Sequence, residues 1–248
     1  MEQKVLEIIN QIDKSYKVLY EKMGDSIMVS LKDNGTSVSQ FDLDATQFCI
    51  EIINKVYPNA NIWIEEDAAI LKTDEEEYTF IIDPLDGTAS FLRGYPIWGI
   101  GIGVLKGETP LLSYFYAPAC NQKYLAYEDK IFINNKELSE QTNVINADTK
   151  TIFISSRLHK KIDFQAFEAL KLRNFGSTLY HVVMVALGKA EAVLIGSCYI
   201  WDIAAAFYLG QRGGYAFFDY KSQKQLTLKE LLAYKDNKID IILEYKKV

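Results

Sequence analysis

A layered α/β fold is what this sequence predicts, and three observations predict it. The first twenty residues place Val5, Ile8, Ile9, Ile12 and Tyr16 at helical spacing, a stripe that reads as core. Short apolar runs rich in β-branched and aromatic residues dominate from about 62 to 126, which is a strand pattern. Beyond residue 150, strand-like and helix-like runs alternate, and such mixtures stack helices on sheets.

Taken in order, the opening helix is followed by a second at about 43–56, then by strands near 62–64, 78–82, 98–105, 111–116 and 124–126. The region 127–150 is polar, with Asn134-Asn135 as a turn, and is the expected boundary between two subdomains of one domain, approximately 1–140 and 141–248. A strand at 151–155, a helix at 162–171, a helix at 179–187 and a strand at 192–195 come next. A helix from 202, a strand at 215–218 and a last strand at 239–244 close the chain, with no internal repeat or flexible linker.

Composition fits a globular enzyme: 248 residues, 49% hydrophobic and 24% charged, are enough for a substantial core. Glu2, Lys4 and Glu7 exclude an uncharged signal-peptide core, and no apolar run is long enough to span a membrane. A net charge of −6 excludes the basic stripe a nucleic-acid surface needs. Cys49, Cys120 and Cys198 are odd in number and set in apolar contexts, so they read as buried free thiols of a cytoplasmic protein. His159 and His181 lack metal-ligand spacing.

The densest chemistry lies in Asp83-Pro84-Leu85-Asp86-Gly87-Thr88. The apolar run before it places Asp83 at a strand end, where Pro84 removes a backbone donor and stops regular pairing. Gly87 permits a backbone conformation closed to other residues and lets a ligand approach the main chain. Two carboxylates this close repel and call for a cation, and a hard, oxygen-seeking ion such as Mg²⁺ fits. The plainer reading is a turn, since Asp-Pro and Asp-Gly are common turn dipeptides. Three further acidic positions bear on the choice. Glu65-Glu66-Asp67 follows the strand-like Ile62-Trp63-Ile64, Asp202 follows Trp201 at a helix start, and Asp42 precedes the second helix. Surface solvation for the first and helix capping for the other two are the competing roles.

Together these residues resemble the inositol monophosphatase superfamily of Mg²⁺-dependent, lithium-sensitive phosphatases. Ile64-Glu65-Glu66 stands for its Gly-Glu-Glu segment, and Asp83 through Thr88 for its Asp-Pro-Ile/Leu-Asp-Gly-Thr loop. Trp201-Asp202-Ile203-Ala204-Ala205 stands for its late Trp-Asp with small residues, and order and spacing fit over nearly the whole chain. The resemblance implies an α-β-α-β-α sandwich with the active site between two halves. It implies that Glu65, Asp83 and the Leu85 main-chain oxygen hold a first Mg²⁺, that Asp83, Asp86 and Asp202 hold a second, and that a third, weaker site rests on Glu65. Gly87, Thr88 and Ala89 would bind substrate, the first two through N–H groups to the phosphate. Thr88, backed by Asp42, would help activate a water on the metal, with Glu65 a further catalytic residue. A small phosphorylated metabolite as substrate and a homodimer are likewise implied.

Departures from the family pattern set further expectations. Ile64 replaces a glycine, which would shift the Glu65 loop, and restoring glycine there should leave activity unchanged or raise it. Ala89 and Ser90 replace a Thr-Asn pair, and Ala206 a common glycine. Seven positions before Asp202, where inositol-selective members carry an acid, stands Ile195, which cannot accept a polyol hydroxyl. A sugar or inositol phosphate therefore ranks first as substrate type. A 3'(2'),5'-bisphosphate nucleotide follows, with Tyr199 as either an adenine stacker or a core residue, and then histidinol phosphate. A degenerate relative acting through protein contacts is the alternative of another class.

Overall fold

The structure is a computed structural model that describes residues 2–22, 29–31, 37–66, 78–138, 150–158, 170–234 and 237–245. Helix α1 (Glu2–Lys22) opens the chain; a ribbon of β1 (Val29–Leu31) and β2 (Ser37–Ser39) leads into α2 (Gln40–Val56). Seven strands then form one sheet in chain order: β3 (Asn61–Ile64), β4 (Tyr78–Asp86), β5 (Gly99–Lys106), β6 (Thr109–Ala117), β7 (Gln122–Tyr127), β8 (Lys130–Ile133) and β9 (Lys136–Glu137). The short helix α3 (Thr88–Phe91) joins β4 to β5. A second sheet contains β10 (Thr151–Ile154), β11 (Lys171–Arg173), β12 (Ala192–Cys198), β13 (Tyr215–Asp219) and β14 (Ile239–Tyr245) in the order β11-β10-β12-β14-β13. Helices α4 (Thr178–Ala186) and α5 (Trp201–Arg212) flank β12 in sequence, and α6 (Leu228–Leu232) precedes β14.

The apolar stripe foreseen on α1 is core: Val5, Ile8, Ile12 and Tyr16 are fully buried, each such side chain stabilising by about 1.5–3 kcal/mol. It packs with α2 on one face of the first sheet, against Ile62, Phe80, Ile82, Ile100 and Ile102. Helices α4 and α5 fill the space between the sheets, and strand alternation decides which side chains meet them. Val193 and Ile195 of β12 and Ile241 and Leu243 of β14 face this inner core, while Leu194 and Ile242 join a separate cluster with Ile154 and Leu158. Period-two patterning thus gives both faces of the second sheet apolar cover. His159 and all but the end of the helix expected at 162–171 lie outside the described residues, and Lys171 opens β11 instead. Among the described residues no helix is long and apolar enough to cross a membrane.

Glycines on β5 set how closely the helical layer approaches. Gly99, Gly101 and Gly103 alternate with Ile100 and Ile102, whose side chains point to the α1–α2 face. A Cβ on Gly103 would stand 2.6 Å from the Ala204 carbonyl oxygen, and one on Gly101 would stand 3.1 Å from the Ala205 Cβ. The backbone of α5 therefore lies directly on β5, and this contact places the start of α5 beside β4.

Three expectations are corrected. Strand β4 does not end at Asp83: pairing breaks between Asp83, opposite Gly101, and Asp86, opposite Gly99, then resumes. Pro84 interrupts the ladder as a bulge does. Within the polar region 127–150, β8 and β9 extend the first sheet, turning at Asn134 and Asn135, both with positive φ. The short run Ile131-Phe132-Ile133 was masked by its polar flanks. Cys49 and Cys198 are buried, but Cys120 is only half-buried, its thiol directed to the Pro96 carbonyl.

Candidate active site

The bulge in β4 turns its two acids toward one place. Asp83 and Asp86 are buried on either side of it, and Asp202 sits in the first turn of α5. One carboxylate oxygen from each lies within 4.8 Å of the others. Asp86 accepts from the Ser177 hydroxyl and from the N–H groups of Thr178 (3.0 Å) and Leu179 (2.9 Å). It thus sits on the N-terminus of α4, where Ser177 is also the cap for Tyr180. Asp83 accepts from the Leu85 N–H (3.0 Å), and Asp202 reaches back to the Tyr199 N–H (2.7 Å). Asp202 does not cap its own helix, because the N-cap residue is Ile200.

Asp42 belongs to a helix cap and also faces Thr88. It is the third residue of α2 and forms a capping box with Ser39, whose N–H donates to Oδ2 at 2.7 Å. The other oxygen faces the Thr88 hydroxyl at 3.4 Å, a hydroxyl that also lies 3.1 Å from the Leu85 carbonyl oxygen. Gly87 has φ +92°, and a Cβ there would meet the Gly176 and Ile97 carbonyls at 3.1 and 3.2 Å. No side chain caps the turn it opens, so the N–H groups of Thr88 and the exposed Ala89 begin α3 without side-chain cover. On the buried side of the loop the Tyr16 hydroxyl donates to the Pro84 carbonyl at 3.0 Å.

Glu65 directly follows β3 and its N–H extends the ladder to the Ile82 carbonyl (3.2 Å). It lines the same cleft but stands outside the group of three close carboxylates. Ile64 is an ordinary strand residue, paired with Ile82 and 1% exposed. Glycine there would empty part of the core. Asp67 lies outside the described residues.

Electrostatically the site is poor in counter-charge. Burial, then Glu65, Asp86 and Asp202, push the Asp83 carboxyl well above the usual range. Burial raises Asp86 to about 6 against the pull of Ser177, Leu179 and Thr178. Burial, then Glu65 and Asp86, raise Asp202 to about 7, while the Tyr199 N–H and Arg157 oppose the rise. Buried carboxylates without a cationic partner are costly. A divalent ion would remove that cost, and the all-oxygen donor set suits a hard cation such as Mg²⁺.

The cleft has a volume of about 400 Å³, with Glu65, Asp83, Leu85, Asp86, Gly87, Thr88, Ala89 and Asp202 on its lining. Its remaining wall, which the sequence reading missed, carries Ser155, Ser156 and Arg157 after β10, Asn174 and Gly176–Thr178 before and into α4, His181, Gly196 and Cys198. A usable signal existed: Ser155-Ser156-Arg157 is a polar run at the end of an apolar strand, the pattern that drew attention to Glu65. His181 is buried between Phe153 and Phe175, accepts from the Phe175 N–H (2.8 Å) and is lowered to about 4 by burial. Ile195 points into the core between the sheets, and its neighbour Gly196 borders the cleft. Among the described residues no acidic side chain replaces it there. Tyr199 stacks on Trp201 with centroids 4.8 Å apart, and Lys238 lies over its ring at 4.9 Å. Its aromatic surface is already engaged within the protein.

The comparisons with known proteins agree with this geometry. The model of the inositol monophosphatase family matches residues 1–242. A fructose-1,6-bisphosphatase/inositol-1-monophosphatase of Aquifex aeolicus is 25% identical over 209 residues, covering 80% of this chain and 78% of the relative. A histidinol-phosphatase of Chlorobaculum parvum is 24% identical over 233 residues, covering 91% and 89%. The solved structure of a Thermotoga maritima IMPase superposes with a TM-score of 0.80 at 22% identity, covering 98% of this chain and 92% of that one.

Proposed function

The chain belongs to the inositol monophosphatase family, and on that premise we propose that it is a Mg²⁺-dependent phosphomonoesterase acting on a small phosphorylated metabolite of the sugar- or inositol-phosphate type. The observation that carries this reading is the convergence of Asp83, Asp86 and Asp202 within 4.8 Å, beside a Thr88 hydroxyl that faces Asp42. These three acids, with Glu65 and the Leu85 carbonyl oxygen, would hold two Mg²⁺ ions, and Glu65 a third, weaker one. Bound there, Mg²⁺ supplies positive charge against the phosphoryl group and lowers the pKa of water.

The protein's own groups do the rest. The N–H groups of Gly87, Thr88 and Ala89 receive phosphate oxygens at the uncapped start of α3, where backbone dipoles favour an anion. The capping box with Ser39 fixes Asp42, so that its other oxygen is positioned for the Thr88 hydrogen. Passing that hydrogen to Asp42 lets the Thr88 oxygen accept one from an attacking water. This is general-base assistance at a stated atom. The site needs no covalent nucleophile: Cys198 is buried, directed to the Ile239 carbonyl at 3.1 Å and pushed up by burial.

The substrate type follows from the cleft. Relatives named for different phosphate esters share this fold, so family membership leaves the leaving group open. The engaged Tyr199 ring argues against an adenine stacked on it, which lowers the nucleotidase alternative. The intact ligand set argues against a degenerate relative. Unpaired thiols at Cys49, Cys120 and Cys198 fit a reducing cytoplasm. A homodimer completes the proposal, and a light-scattering mass of one chain would defeat that part.

The test is release of inorganic phosphate from inositol 1-phosphate, fructose 1,6-bisphosphate, histidinol phosphate and 3'-phosphoadenosine 5'-phosphate, with and without Mg²⁺. Mg²⁺-dependent release from one of them is expected. Silence across the panel, together with no Mg²⁺ binding by calorimetry, overturns the reading.

A further inference from the structure

At its bulge, strand β4 carries a carbonyl that the sheet does not pair. Pro84 lies between Asp83, opposite Gly101, and Asp86, opposite Gly99, and pairing with β3 ends at Ile82. The Pro84 carbonyl instead accepts from the Tyr16 hydroxyl at 3.0 Å, a buried bond to α1 across 68 positions of the chain. A buried carbonyl without a donor is costly, so the enclosed bulge depends on this hydroxyl. The Tyr16 ring is fully buried and has little freedom. Phe41, Phe48 and Tyr116 meet it edge-on, with centroids 5.2, 6.3 and 6.1 Å away. A hydroxyl on a ring held from three sides is a fixed donor.

The carbonyl of Pro84 and the N–H of Leu85 belong to one planar peptide unit. The Leu85 N–H donates to the Asp83 carboxylate at 3.0 Å, so this unit is held by Tyr16 at one end and by Asp83 at the other. The Pro84 ring fixes φ, and rotation of the unit is the freedom that remains at this point. Such a rotation would carry the N–H away from Asp83 and displace the Leu85 carbonyl beside it. We propose that Tyr16 is a positioning residue for the cation site, acting through the Pro84 carbonyl to lock the peptide unit that orients Asp83 and Leu85. The inference rests on the Mg²⁺-dependent reading above and deepens it. It makes α1, which lends no residue to the described lining of the cleft, part of the support of the site.

The simpler role for the hydroxyl is to satisfy a buried carbonyl, which would steady the fold with or without Mg²⁺. Two matched deletions separate these roles. Tyr16→Phe removes the donor and keeps the ring. Tyr114→Phe removes another hydroxyl bonded to α1, one that donates to Asp13 at 2.6 Å and stands outside the cleft lining. Mg²⁺ affinity is measured by calorimetry on the whole protein, with Tm in chelator recorded for each variant. Tyr16→Phe should weaken Mg²⁺ binding about tenfold, the lower end of the loss seen when an outer partner of a metal ligand is removed. Tyr114→Phe should lower Tm in chelator but leave Mg²⁺ affinity within about twofold of the wild type. A second measurement does not depend on the folding of Tyr16→Phe. With 3-fluorotyrosine at position 16 alone, the fluorine resonance should shift as Mg²⁺ is added, following the calorimetric curve, whereas the same label at position 114 should not respond. Unchanged Mg²⁺ affinity in Tyr16→Phe, an equal loss in Tyr114→Phe, or a fluorine signal at position 16 indifferent to Mg²⁺ overturns the inference and leaves the phosphatase reading standing. A wild type that binds no Mg²⁺ at millimolar concentration defeats both.

Discussion

Asp83 and Asp86 are buried and Asp202 partly buried, their negative charge is opposed inside the protein mainly by hydrogen bonds, and two consequences follow at the level of single residues. Replacing Asp83 with Asn keeps the shape and removes the charge that would be shared between two ions. Turnover should fall by on the order of a hundredfold or more, at or beyond the upper end seen when only an outer partner of a metal ligand is lost. Calorimetry should show Mg²⁺ binding weakened in parallel. The metal-free variant should be no less stable than the wild type, and retained turnover would refute the assignment. The second consequence concerns pH. An acid whose folded pKa is raised binds more protons folded than unfolded, so stability falls as pH rises from the unfolded value toward the folded one. With Asp86 at about 6 and Asp202 at about 7, the chelator-treated protein should lose Tm between about pH 4 and 7. Mg²⁺ should restore it most strongly above pH 7. A metal-free Tm that rises steadily through that window would contradict the burial of these groups.

At the scale of elements, the site is positioned by close backbone packing as much as by its acids. Helix α5 can bring Asp202 to β4 because β5 presents glycine at positions 101 and 103, where a Cβ would meet the helix. Gly103→Ala would drive a Cβ to within 2.6 Å of the Ala204 carbonyl, a backbone contact with no rotamer to yield. Overpacking of this kind costs about 1–3 kcal/mol. The variant should show a lower denaturation midpoint together with weaker Mg²⁺ binding, because α5 must move away from the sheet. Unchanged metal affinity would show that α5 does not set the site. The glycine logic runs in reverse at position 64. Ile64 is fully enclosed in β3, so Ile64→Gly should cost more than about 3 kcal/mol through the emptied volume and the freed backbone. Any gain in activity foreseen for it would have to survive that loss. The chain shows such elements unevenly. Helix α1 and strand β4 are long and strongly patterned, so they can be read directly. The β4 bulge, by contrast, depends on how β5 pairs across it. The Ser155–Arg157 wall lies more than fifty residues from the acidic loop in sequence and meets it only through folding.

On the scale of the whole molecule, the cleft is where the first sheet meets the helices and second sheet that follow it. Asp86, at the end of β4, is bonded to Ser177, Thr178 and Leu179 at the start of α4. Asp202 comes from α5, packed between the sheets. A cation held by these acids therefore joins elements far apart in the chain and is bound by the folded state alone. Linkage then gives about 2.7 kcal/mol of stabilisation when free Mg²⁺ is a hundred times its dissociation constant. For a chain of this length each kcal/mol moves Tm by about 2–4 °C, so saturating Mg²⁺ should raise Tm by roughly 5–10 °C. Ser177→Ala offers the control. It removes one donor from Asp86 while leaving every proposed metal ligand in place, so it should lower Tm in chelator by an amount equivalent to about 1–3 kcal/mol. The Mg²⁺ increment should largely persist, because the cation replaces the charge compensation that the hydroxyl had supplied. A Tm indifferent to millimolar Mg²⁺ in the wild type would mean that the acids do not act together. A Mg²⁺ increment lost in Ser177→Ala would mean instead that the α4 start, rather than the carboxylate set, holds the two halves in register.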